Sequence, residues 1–174
     1  MALSQKQQIE KATAEIFLPI YNKMHGTNFG IVELGDTPDV TCQDPDSGAM
    51  LYLEIGLMED LKGEIAEELR RGKQTAPSEY LMPVRSLYDD AVPNCRKVIE
   101  KKMQSAYGKE TALVLRQVSP IWGPYDWRIL ANKYFSDLLP GSEAKFGAGI
   151  WVICTDNTTW PASDTIFCLS RAVP

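Results

Sequence analysis

The chain has 174 residues, 44% apolar and 24% charged, the make-up of one globular domain over 1–174 with a real core, which excludes a disordered, collagen-like or coiled-coil polymer. Its 18 Lys and Arg against 23 Asp and Glu leave a net charge of -5, so any nucleic-acid partner has to be held by a local basic patch or by metal ions. No apolar run approaches the roughly 18 residues that span a bilayer, and MALSQKQQIEKATAEIF lacks the apolar stretch of a signal peptide, so the expectation is a cytoplasmic protein with no membrane partner.

Residues 5–24 set Ile9, Thr13, Ile16, Phe17, Ile20 and Met24 on one face at the helical step, predicting an amphipathic helix with Ser4 as N-cap and a bend at Pro19. From 29 to 57 the pattern turns to short apolar alternations, read as strands near 30–34, 39–44 and 49–57. The helical period returns over 58–71 and ends at Gly72. Residues 73–93 hold Pro77, Pro83 and Pro93 and read as a loop with at most a short helix around 83–91. A helix over 94–107, a buried strand over 111–118, a helix over 124–139 and strands over 149–155 and near 165–169 complete a mixed α/β sheet with helices packed on it. Cys42, Cys95, Cys154 and Cys168 are widely spaced with no C-x-x-C, and His25 is the single histidine, so the cysteines read as thiols rather than as a zinc or Cys-His site.

Between the second and third strands lies Asp-Pro-Asp-Ser-Gly-Ala (44–49), suited to a four-residue hairpin loop. If Asp44 pairs with Ala49, opposed residue numbers sum to 93, and Asp39 faces Glu54. Opposed side chains lie roughly 4.5–5.5 Å apart at Cβ and like charges there repel, so the pair needs a compensator. A hard divalent cation such as Mg²⁺ or Mn²⁺ is one; a solvated pair in a slipped register is the other reading. Without a compensator, Asp39→Asn is expected to stabilise the metal-free chain.

In helix 94–107 the apolar stripe of Cys95, Val98, Ile99 and Ala106 includes Lys102, while Lys101 points away. Lys102 either snorkels to solvent or reaches the two carboxylates. Glu10 falls at the margin of the first helix's apolar face, either a third acidic group or a solvated flank. Trp122, Tyr125 and Trp127 form an aromatic run that either packs at an element junction or stacks on unpaired bases. Arg70, Arg71 and Lys73 are a compact basic cluster that suits a helix C-terminus or a phosphate.

Pro38-Asp39, fourteen residues, then Glu54-Ile55-Gly56, set on the second and third strands after an N-terminal helix, resembles the PD-(D/E)XK phosphodiesterase superfamily. The order of the later elements extends the resemblance over residues 5–155. It implies a restriction-endonuclease-like fold with an αβββαβ core and metal-dependent hydrolysis of phosphodiester bonds in DNA or RNA. Asp39 and Glu54 would hold Mg²⁺ or Mn²⁺, and Glu10 would support the metal. The family's third residue, a lysine two positions after the Glu, is replaced here by Gly56, and divergent members supply it from a neighbouring helix, which points to Lys102 to position or deprotonate the attacking water. A catalytically inactive member serving as a protein-binding or regulatory module is the alternative. The family's frequent dimers make a homodimer one expectation, although no self-complementary patch is legible.

Overall fold

The computed structural model describes residues 3–58, 84–105, 107–117, 122–156 and 163–170. The predicted helix 58–71 beyond Met58, and the Arg70, Arg71 and Lys73 cluster, lie outside them, as does Ala106. Helix α1 spans Gln5–His25, followed by β1 (Gly30–Leu34), β2 (Val40–Gln43) and β3 (Met50–Met58). Helix α2 (Val84–Met103), β4 (Thr111–Gln117), α3 (Pro124–Tyr134), β5 (Gly149–Asp156) and β6 (Ser163–Cys168) complete the order. The six strands form one mixed sheet in sequential order. β1, β2 and β3 are antiparallel, β3, β4 and β5 parallel, and β6 returns antiparallel to β5.

Strand alternation sorts the core into two layers. Ala112, Val114, Trp151 and Ile153 face α1, while Leu113, Leu115, Ile150 and Val152 face α2 and α3. Ser4 caps α1 as expected: its Oγ accepts from the Gln7 backbone N–H at 3.2 Å, and the Gln7 side chain accepts from the Ser4 backbone N–H at 3.0 Å. The buried stripe of α1 differs from the predicted face. It runs through Glu10, Thr13, Ala14, Phe17, Leu18 and Tyr21, with Ile9, Ile16 and Ile20 on its flank and Met24 exposed. Ala14 has no bulk to hold the helix off the sheet, and Phe17 and Tyr21 close on Trp151 at 6.0 and 5.5 Å between ring centroids. Burial of Phe17 alone is worth about 1.5–3 kcal/mol. Packing of the aromatics therefore sets the rotation of α1, and Glu10 is carried from the margin into the buried face.

Residues 84–93 are helical rather than irregular, and α2 passes through Pro93 and stops at Met103 instead of 107. Pro93 lies on the exposed side, so its missing N–H is the cost, offset by burial of Val92, Cys95 and Ile99 on the opposite side. Pro19 is likewise exposed within a continuous α1. Helix α3 ends at Tyr134, five residues before the predicted 139, where the chain turns on the Phe135 carbonyl. Met58 belongs to β3, buried on the α2 side, and does not open a helix.

The β2–β3 register is the expected one: Val40 pairs with Leu53, Thr41 with Tyr52, Cys42 with Leu51 and Gln43 with Met50. Asp44 fixes it. Its backbone N–H donates to the Ala49 carbonyl at 2.9 Å, and its buried carboxylate accepts from the backbone N–H groups of Asn28, Asp46 and Ser47. These bonds, that from Asn28 foremost, hold the Asp44 carboxyl below the usual range.

Candidate functional site

β2 begins at Val40, one residue later than the predicted strand, so Asp39 stands just before it, after a cis Thr37–Pro38 bond. The carboxylate of Asp39, 3% exposed, replaces the backbone partner that β3 loses at this point: Oδ2 accepts the Ile55 N–H at 2.8 Å. Glu54, the residue before Ile55, is also buried, on the α2 side of the sheet.

Lys102 reaches both. Its Nζ lies 2.6 Å from Glu54 Oε2 and 3.3 Å from Asp39 Oδ2. Its neighbour Lys101 is exposed. Burial works to lower the Lys102 pKa, but the hydrogen bond it donates to Glu54 and the charges of both carboxylates outweigh it and leave the group above an ordinary lysine. Glu10 lies on the α1 side, joined to Asp39 through Lys6, whose Nζ is 3.1 Å from Glu10 Oε1 and 3.2 Å from Asp39 Oδ1. Burial raises the Glu10 carboxyl, with Lys6 opposing the shift and Asp39 adding to it. All four sequence-predicted residues are thus brought together.

Two members were not singled out from sequence. Lys6 carries a usable signal, since it precedes Glu10 by four residues and so shares its helical face. Tyr107, whose hydroxyl donates to Glu54 Oε2 at 3.2 Å, lies beyond α2 and carries none. Tyr107 is stacked on Phe146 at 4.8 Å, which fixes its ring.

Gly56 explains why the lysine comes from α2. It shares the strand face of Glu54, and a Cβ there would come within 2.8 Å of Val98 Cγ1 and Leu115 Cδ2, so a lysine there has to push both aside. Two strand residues advance about 6.6 Å and four helical residues about 6.0 Å. With Val98 seated on Gly56, Lys102 therefore comes level with Glu54. Beside the site, between the start of α1 and the end of β3, a cavity of about 400 Å³ is lined by Gln5, Lys6, Ile9, Glu10, Ile55 and Leu57.

The carboxylates are hard oxygen donors of the kind Mg²⁺ or Mn²⁺ takes. Among the described residues no group of three or more His, Cys, Asp or Glu side chains is arranged to hold a metal ion. Yet Glu10 Oε2 and Glu54 Oε1 are buried with no hydrogen-bond partner among the described residues. Buried carboxylate oxygens without partners are costly, and a divalent cation is a group that satisfies them, so the donor set fits such an ion in kind.

Trp122 and Trp127 are buried and packed edge to face at 5.3 Å, which leaves Tyr125 as the exposed aromatic of that run. The cysteines carry thiols rather than disulfides, and burial pushes the Cys42 thiol up to about 12, so it holds no thiolate near neutral pH. No helix among the described residues is long and apolar enough to cross a membrane. Comparison of the chain with protein-family models, curated proteins and solved structures finds no match.

Proposed function

We propose that the chain is a metal-dependent phosphodiesterase of the restriction-endonuclease-like fold, acting on nucleic acid in the cytoplasm. The observation that carries this reading is the Lys102 ammonium held against both Glu54 and Asp39 at the position Gly56 cannot supply. The element order helix, three antiparallel strands, helix, parallel strand supports it.

Asp39 and Glu54 are the residues that would hold Mg²⁺ or Mn²⁺, with Glu10 behind them. When bound, the ion stabilises charge developing on the phosphoryl and leaving oxygens. Lys102, kept charged by its two carboxylates, acts as a fixed positive group that orients a water and stabilises the negative charge gathering on the attacking oxygen; with its pKa raised, positioning fits it better than deprotonation. Tyr107 donates to Glu54 and holds that carboxylate in its rotamer.

Cleavage of mixed DNA and RNA substrates with Mg²⁺ or Mn²⁺ tests the reading. Lys102→Met should lower the rate about 10²–10³-fold, the scale of one lost charge-stabilising donor, with the fold retained, and Lys101→Met should leave it unchanged. Equal behaviour of the two variants refutes it. The second reading, an inactive module of the same fold, is favoured by Lys6 and Lys102 already compensating the acids. It predicts no cleavage and no metal-induced stabilisation in the wild type.

A further inference from the structure

The two ammonium groups of the site are unlike each other. Lys102 enters from α2 with its side chain 23% exposed, anchored by the seating of Val98 on Gly56. Lys6 enters from the first turn of α1 with its side chain 60% exposed, yet its Nζ bridges two carboxylates that are only 6% and 4% exposed. It is a solvent-borne arm whose tip lies between buried acids. We infer that Lys6 is a resident counter-cation on Asp39 and Glu10, and that a divalent ion binding at Asp39 displaces it.

Three observations support the exchange. With all three carboxylates ionised, Lys6 and Lys102 leave one net negative charge, so the cluster is under-compensated. Glu10 Oε2, next to the oxygen that Lys6 holds, is buried and has no hydrogen-bond partner among the described residues, so the ammonium does not satisfy the acid it holds. Lys6 and Glu10 also line the cavity of about 400 Å³, which gives the arm room to move.

The inference rests on the metal-site reading above, and titration calorimetry with Mn²⁺ on the whole chain separates the two. Lys6→Met removes the competing cation and should tighten Mn²⁺ about three- to tenfold, the scale of a charge-assisted bond discounted for exposure. Lys6→Arg, which keeps a cation on the same arm, should stay nearer the wild-type affinity. Lys11→Met, which removes an exposed lysine paired with Glu15 on the same helix, reports the general loss of positive charge and should leave affinity nearly unchanged. Unchanged or weaker binding in Lys6→Met, or equal tightening in Lys11→Met, overturns the inference and leaves the metal site standing. Absence of binding in both wild type and Lys6→Met overturns inference and metal site together.

Discussion

Asp39→Asn tests the electrostatics of the site without any assumption about catalysis. The carboxylate accepts from the Ile55 N–H at 2.8 Å, from Lys6 at 3.2 Å and from Lys102 at 3.3 Å. Asn can keep one oxygen toward Ile55 and Lys102, but its amide NH₂ then faces the Lys6 ammonium, donor against donor. A hydrogen bond to a charged group is worth about 1.5–3 kcal/mol. The Lys6 share falls to about 0–1 kcal/mol because that side chain is mostly exposed, while Lys102, less exposed, loses the more distant of its two opposite charges, at 3.3 Å against 2.6 Å for Glu54. Relief of the repulsion between Asp39 and Glu54 returns about 0.2–1 kcal/mol. The balance is a metal-free protein destabilised by about 1–2 kcal/mol, opposite in sign to the expectation from two bare opposed carboxylates. That expectation fails because two lysines already compensate the pair. Urea melts in chelator measure the difference, and an Asn variant as stable as the wild type, or more stable, refutes this account of Asp39.

Mg²⁺ should stabilise the wild type, by about 2.7 kcal/mol at a hundredfold excess over Kd, and Glu54→Gln should lose most of that gain, as read by thermal melts with and without metal. Gly56→Ala should cost about 1–3 kcal/mol of stability by forcing Val98 and Leu115 apart from the new Cβ, and cleavage should fall further than stability alone explains because Lys102 moves with α2. Denaturant melts and kinetics on the folded variant separate the two effects. Asp44 binds its proton less tightly when folded, so its contribution is present above the unfolded value near 4 and is lost as pH falls through the lower folded value. Stability followed from pH 6 to pH 2 should fall less steeply in Asp44→Asn than in the wild type.

The hairpin was legible because its turn chemistry and its register are the same fact: Asp44 both closes the loop and makes Asp39 oppose Glu54. Lys102 was legible for a similar reason, as a charge inside an apolar stripe. The rotation of α1 was not. Hydropathy favours the isoleucines, whereas close approach favours Ala14 and the aromatics that meet Trp151, and only the partner surface decides between them. Pro93 carries the local penalty that marks a helix boundary in sequence, but the helix runs through it because the apolar contacts of Val92, Cys95 and Ile99 outweigh one missing hydrogen bond. Tyr107 sits in a connection whose path depends on where β4 and Phe146 lie, so no local pattern announces it.

The composition of the cluster bears on whether it exists for the fold. Burying Asp39, Glu54 and Glu10 together is expensive, and apolar residues of similar volume usually stabilise a core as well or better than an ion-pair network does. A network serving only stability is expected to close its hydrogen bonds, yet this one leaves Glu10 Oε2 and Glu54 Oε1 without partners among the described residues. It also draws one of its cations from an exposed arm, the weakest source of ion-pair energy. The surrounding elements obey the ordinary rules: Ser4 caps its helix, Asp44 closes its turn and the strands alternate. Among the described residues, three acids and two lysines converge here beside a cavity of about 400 Å³, with two buried carboxylate oxygens lacking partners, and on the reading proposed above that departure from ordinary packing serves chemistry.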